Sequence, residues 1–205
     1  MTRRPSAARV GPVLGAVVVS AALVGLVWLW WASGPFAGQT GPDEGPVSTH
    51  AGSSPSTLAV PDRPADAFPL RVEYVYDGDT LRAEPISGDS PFPRGVALRV
   101  RLIGIDAPEG TPAVECGADE ARDRLRSLLP EGSTVWASAD RDLRDRYDRA
   151  LLYLWTDDGV FVNHALVAAG DAVAIRVGRN DAHVALLSRA AASAEAEGRG
   201  QWGAC

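Results

Sequence analysis

Asp77-Gly78-Asp79-Thr80 and Arg101-Leu102-Ile103-Gly104-Ile105-Asp106-Ala107-Pro108-Glu109 are the two stretches whose reading decides what this chain folds into. The first breaks an alternating run, Arg71 to Glu84, with a short acidic turn, so it reads as the tip between two strands. The second closes another alternating run in which Val96, Leu98, Val100 and Leu102 oppose Ala97, Arg99, Arg101 and Ile103. Its branched side chains favour a strand over a helix. Between the two lies a loop rich in Pro and Gly, Pro85 to Gly95. Together they place three carboxylates, Asp79, Asp106 and Glu109, and an arginine, Arg101, at strand ends, a set that suits a hard cation and an attacked phosphate.

Working outward, Asp119 to Leu129 puts Ala121, Leu125, Leu128 and Leu129 on one helical face, and Pro130 stops it. Thr134 to Ala139 and Ala150 to Thr156 read as strands on either side of a charged loop, with Asp157-Asp158-Gly159 as a turn. Val162 to Ala169 is a short helix ended by Gly170. Asp181 to Glu197 is a longer, Ala-rich helix that Asn180 or Asp181 can cap and Gly198 ends. Short strands with a helix between the third and fourth fit an α+β fold built on a small five-stranded Greek-key barrel of the oligonucleotide-binding (OB) type.

A third segment, Asp145-Arg146-Tyr147-Asp148-Arg149, adds a second arginine further along. Each of the three segments alone is a common turn, strand end or solvated charge run. Their conjunction, in this order, resembles the staphylococcal nuclease (thermonuclease) family over about residues 70 to 202. The resemblance implies the barrel with three helices and a Ca²⁺-dependent hydrolysis of DNA or RNA phosphodiesters by 5′-O cleavage. It also implies that Asp79 and Asp106 are carboxylate ligands of the metal, joined by the backbone carbonyl of Ala107. Glu109 matches the residue that orients or deprotonates water, and Arg101 and Arg149 match the pair that clamps the phosphate. Such chemistry needs a base for the water and positive charge on the phosphoryl oxygens as negative charge grows there. Thr80 supports a water by the same resemblance, or is a plain strand residue; Asp77 is a nearby carboxylate or a turn former.

Two positions depart from the family pattern. Asp148 stands where a tight-turn glycine is expected, which puts a negative charge beside Arg149. Ile175-Arg176-Val177-Gly178 occupies the stretch where base-stacking tyrosines are expected. Capture of substrate is therefore expected to rest on backbone contacts from Arg101, Arg149 and the metal, with Arg146 or Arg176 in support.

The N-terminal third has a different character. Residues 13–33 form an almost unbroken apolar run, long enough as a helix to cross a bilayer at ~1.5 Å per residue. Arg3, Arg4 and Arg9 precede it, which keeps residues 1–12 in the cytoplasm and exports the chain beyond the run. Trp28, Trp30 and Trp31 sit at the far end, where indole rings favour the interface. A single-pass anchor is the preferred reading, and a cleaved signal, which would release a secreted domain, is the rival. Residues 34–66 are rich in Gly, Pro, Ser and Thr and read as a flexible linker to a domain over 67–205.

The chain has no lysine, and its 20 basic residues are all arginine against 26 acids, a net charge of −6. An acidic protein is not built for tight, non-specific capture of a polyanion. That weighs against a pure binding module and less against an enzyme that needs transient contact. The alternatives are a non-catalytic nucleic-acid-binding barrel with the same motifs, and a surface module for protein ligands. The first leaves both arginines and Glu109 without purpose; the second leaves an arginine at a buried strand position unexplained. Two cysteines, Cys116 and Cys205, are expected to be bridged outside the cytoplasm. His50, His164 and His183 are dispersed and form no zinc pattern; His183 is expected at the surface or as a cap. A monomer is expected.

Overall fold

The structure is a computed structural model that describes residues 59–87 and 89–205. Five strands, β1 (Phe68–Val75), β2 (Thr80–Pro85), β3 (Leu98–Leu102), β5 (Thr134–Ser138) and β6 (Ala150–Thr156), close into a barrel in the order β1-β2-β3-β6-β5. All neighbours run antiparallel except β3 and β6, which pair in parallel with Val100 opposite Ala150. The period-two pattern explains the wall: Leu98, Val100 and Leu102 point into the core while Arg99 and Arg101 face outward. Closure leaves no long free edge of the kind that invites strand addition.

The helices α1 (Ala118–Leu128) and α2 (Val162–Ala169) lie against the barrel, and α3 (Val184–Ala196) packs on α2. In α1, Ala121 and Leu125 are fully buried, and Asp119 and Glu120 in the first turn with Arg126 in the last complement the helix dipole. Gly170 ends α2 in the left-handed conformation, its N–H reaching the carbonyls of Leu166 and Val167. Asn163 is wholly buried, with both ends of its amide bonded. Its Oδ1 accepts the Leu154 N–H at 3.0 Å and its Nδ2 donates to the Ile103 carbonyl at 2.9 Å. One side chain thereby ties β6, α2 and the turn that leads to Asp106.

Several sequence expectations are corrected. The run from Val96 does not continue to Ile105 as one strand: Gly104, at φ +79°, turns the chain by a left-handed step that favours glycine. Ile105–Asp106 (β4) then pairs with Val173–Ala174 (β7) in a separate two-stranded sheet. The last long helix begins at Val184, later than Asp181, because Asn180 and Asp181 are engaged elsewhere. Asn180 bonds the backbone of Asp142 in both directions, and Asp181 pairs with Arg141 and Arg176. His183 occupies the cap position of α3 without a side-chain capping bond. Its ring lies 4.6 Å from Tyr153 and 5.0 Å from Phe161, so it is a packing residue. A fourth short helix, α4 (Gln201–Ala204), follows α3.

The apolar run at 13–33 and most of the linker lie outside the described residues. Among the described residues, no helix is long and apolar enough to cross a membrane. The last residues before β1 already touch the barrel: the Trp155 indole donates to the Pro61 carbonyl at 3.2 Å, and Arg63 lies over Trp136. Cys116 and Cys205 form a disulfide with Cα atoms 6.0 Å apart.

Candidate active site

The Asp77–Asp79 turn is shaped by its own first carboxylate. Asp77 Oδ1 accepts the Asp79 N–H at 3.1 Å, a local side-chain turn that aims Asp79 inward. Gly78 is required by space: a Cβ there would lie 2.6 Å from both Ala107 Cβ and Ala121 Cβ. The turn can therefore press against the Ala107 segment, and Ala107 N–H donates to Asp79 Oδ2 at 2.8 Å. Thr80, itself buried, donates its hydroxyl to Asp79 Oδ1 at 3.0 Å. Asp79 is only 2% exposed. Burial pushes its carboxyl up to about 7, against the pull of Arg101 and the Ala107 N–H and with the further push of Asp77.

Arg101 is the hub. From β3 its guanidinium meets Asp79 at 3.0 Å and Asp106 at 2.6 Å. It also donates to the carbonyls of Ile105 at 2.8 Å and Leu102 at 3.1 Å. With 11% of its side chain exposed, it is locked in one orientation with a narrow opening to solvent. The turn at Gly104 returns the chain so that Ile105 and Asp106 reach the arginine that began the segment.

Glu109 follows on a loop closed by reciprocal bonds. Glu109 N–H donates to Glu115 Oε2 at 2.9 Å, and Glu115 N–H donates to the Glu109 carbonyl at 2.9 Å. Burial, then the carboxylates of Asp77 and Asp106, hold the Glu109 carboxyl above its ordinary value, with Arg101 pulling the other way. A carboxylate raised in this manner is a better proton acceptor near neutral pH. Beside it, a cavity of about 290 Å³ is lined by Asp106, Ala107, Pro108, Glu115 and the disulfide.

Arg149 approaches along a different path. It immediately precedes Ala150, which lies opposite Val100, so the parallel pairing brings it to the strand that carries Arg101. Its partner is Asp145, which accepts from Arg149 Nε at 2.7 Å and from the backbone N–H groups of Tyr147 and Arg149 at 2.9 Å each. Burial pushes the Asp145 carboxyl up, but those donors outweigh it and hold it below its ordinary value. Asp148, at φ +63°, takes the turn conformation expected of a glycine, and its carboxylate pairs with Arg144 at 3.1 Å.

Asp79, Arg101, Asp106, Ala107 and Glu109 are thus brought together, and Arg149 is brought to the same wall. Sequence reading gives no role to Glu115, and leaves Asp145 as a mere neighbour of the site in sequence. The i, i+4 spacing of Asp145 and Arg149 is the available signal for the second. Glu115 offers none, because a loop bond six residues away follows from no periodicity. Among the described residues, no three His, Cys, Asp or Glu side chains gather as a ready metal-binding group.

A closed five-stranded barrel of the OB type, with helices packed on it and a guanidinium bridging two carboxylates on its wall, is the class of molecule that these residues define. The family model for staphylococcal nuclease homologues matches residues 99–204. Thermonuclease from Staphylococcus intermedius is 31% identical over 135 residues, covering 64% of this chain and 74% of that protein. An uncharacterised endonuclease from Escherichia coli is 36% identical over 105 residues, 50% of this chain and 58% of the relative. Endonuclease YhcR from Bacillus subtilis is 30% identical over 108 residues, 48% of this chain but 8% of that protein. The chain belongs to the staphylococcal nuclease homologue family.

Proposed function

We propose that this protein is a Ca²⁺-dependent nuclease that hydrolyses phosphodiester bonds of DNA, RNA or both. The observation that carries the reading is Arg101, held between Asp79 and Asp106 within reach of the Glu109 field. The residues fit a hard divalent cation. Arg101 bridges Asp79 and Asp106, Glu109 lies in the field of Asp77, Asp106 and Glu115, and burial raises the Asp79 carboxyl despite the pull of Arg101, so added positive charge would favour its ionised form. Asp79 and Asp106, with the Ala107 carbonyl, would hold the ion. When bound, it would supply Lewis-acid charge to the phosphoryl oxygen and help orient substrate.

The chain's own groups account for the remaining steps. Glu109 accepts a proton from the attacking water, whose oxygen forms the new bond to phosphorus as the phosphorus–oxygen ester bond breaks. The leaving alkoxide takes up a proton to give the alcohol. Arg101 and Arg149 donate to the phosphoryl oxygens, on which charge accumulates in the transition state. Arg101 is already oriented by its carbonyl and carboxylate partners, and Arg149 by Asp145, so little reorganisation is needed when charge develops.

The apolar run at 13–33, with arginines before it, supports a single-pass membrane anchor that leaves the barrel outside the cytoplasm, and the disulfide agrees with an oxidising compartment. The test is incubation of the protein with single-stranded DNA and RNA, with calcium and with excess chelator. Cleavage should occur with calcium and stop with chelator; undiminished cleavage in chelator removes the metal assignment, and no cleavage in either removes the nuclease.

A further inference from the structure

Outside the acidic site, one surface of the barrel combines exposed tyrosines with arginines. Tyr74 and Tyr76 lie two residues apart at the end of β1 and just beyond it, and remain 43% and 39% exposed. Their rings meet edge to face with centroids 5.1 Å apart. Arg99 from β3 lies 5.1 Å from the Tyr76 ring, and Arg126 from α1 lies 6.0 Å from the Tyr74 ring. The two rings are thus partly exposed, each with a guanidinium over it, and each leaves apolar area in water that a core could use.

The cluster is continuous with the site described above. Tyr76 directly precedes Asp77, whose carboxylate shapes the turn that aims Asp79. Arg99 and Arg101 stand two residues apart on the outward face of β3, about 7 Å along the strand. Across the sheet, Tyr74 pairs with Arg82 and Arg82 with Arg99, so the row runs from β1 to the strand of Arg101. Arg82 and Arg126 have acidic partners in Glu73 and Asp123. Among the described residues, Arg99 forms no salt bridge; its guanidinium lies over the Tyr76 ring without a carboxylate partner.

We infer that Tyr74, Tyr76 and Arg99 form a docking track for single-stranded polynucleotide, on which bases flanking the scissile phosphate stack while Arg99 takes a neighbouring phosphate. Stacking needs unpaired bases with open faces, which a duplex does not offer, so the track selects single strands or locally opened ends. It also revises the expectation of capture by backbone contacts alone, because aromatic faces are present, on β1 and not after α2. Every base has a face to stack, so the track tolerates sequence. This inference rests on the nuclease reading for the direction of the track, but binding can be read without cleavage.

The experiment measures fluorescence anisotropy of a labelled twelve-nucleotide oligo-dT and of a labelled duplex of mixed sequence, each titrated with the full chain in mild detergent and excess chelator, where no turnover is expected. Tyr74→Leu and Tyr76→Leu should each weaken single-strand binding by about five- to tenfold, the lower range for a stacked base. Tyr76→Phe should bind like the parent, because the ring is kept. Duplex affinity should not change. Arg99→Gln, a surface change that leaves the rings in place, should weaken single-strand binding and lower the salt slope by about 0.7. Unchanged single-strand affinity in the Leu and Gln variants overturns the inference, as does an equal loss on duplex, or a loss in Tyr76→Phe equal to that in Tyr76→Leu. A protein that never cleaves yet shows these binding changes keeps the track and loses the nuclease; one that cleaves while the variants bind normally does the reverse.

Discussion

Replacing both cysteines by serine should cost stability far more than activity. The bridge between Cys116 and Cys205 closes a loop with a sequence separation of 89. In the chain-entropy model a loop of that size restricts the unfolded chain by about 4 to 5 kcal/mol. The folded end is held independently: Gln201 N–H and Nε2 donate to the Gly170 carbonyl at 3.1 and 3.2 Å, and Arg199 N–H donates to Ala194 O at 2.9 Å. Glu109 keeps its reciprocal bonds with Glu115, which do not involve sulfur. The loss therefore acts on the unfolded state, and the Glu109 loop stays in place. Urea unfolding of oxidised protein and of Cys116→Ser/Cys205→Ser, followed by fluorescence, should show a lower midpoint and a larger slope for the serine form, because its unfolded chain expands further. Cleavage rate under folding conditions should change less than about threefold, small beside the tenfold that ~1.4 kcal/mol of barrier represents. Equal urea midpoints would refute the entropic argument. A folded double mutant with a tenfold lower rate would show instead that the bridge positions Glu109.

Glu109→Gln and Arg149→Ala should each fold normally and lose on the order of 10²-fold or more in kcat/KM, the usual scale for a base or a stabilising donor; near-parent turnover by folded variants would remove them from the mechanism. Asp148→Asn keeps a residue that tolerates positive φ and removes a charge near Arg149, so KM for oligonucleotides should fall by about twofold, the scale of a screened surface charge, and a rise in KM would contradict the repulsion. Burial holds His183 and His164 below their ordinary value of 6.5. The unfolded chain binds those protons near pH 6.5 while the folded chain does not, so stability is highest above that pH and falls as pH drops toward 5. His183→Phe, placed among Tyr153 and Phe161, should flatten this fall in thermal melts taken from pH 7 to 5, and parallel curves for the two proteins would show that His183 does not carry it.

What is legible in the sequence is what local chemistry dictates. The bounds of β6 and α2 coincide with the expected Ala150–Thr156 and Val162–Ala169, because an unbroken apolar run and a terminating glycine leave little choice. The turn at Asp148 is legible from its place between tyrosine and arginine, and the structure gives it the positive φ that the place requires. The elements that escape are those decided by partners distant in the chain. Ile105–Asp106 is too short to read as a strand without Val173–Ala174 opposite it. The start of α3 depends on Asn180 being drawn to Asp142, 38 residues away.

The same division runs through the site, and it explains why motif residues alone understate it. Asp79, Arg101, Asp106 and Glu109 are visible as types in a pattern, but their arrangement is imposed by residues that carry no chemistry. Gly78 admits Ala107 and Ala121 to within contact of the turn, and Asn163 fastens Ile103 just ahead of the Gly104 reversal. Giving Gly78 a side chain would force the turn away from Ala107 and break the 2.8 Å bond that orients Asp79. Removing the Asn163 amide would leave the Ile103 carbonyl and Leu154 N–H buried without partners, at about 1 to 3 kcal/mol for each group. The proposed cation site of two carboxylates and a carbonyl would have little tolerance for such shifts, since its ligands come from separate turns held in register by packing, by the Ala107–Asp79 bond and by Arg101. The acidic cluster is therefore as much a product of the small and buried residues beneath it as of the carboxylates that compose it.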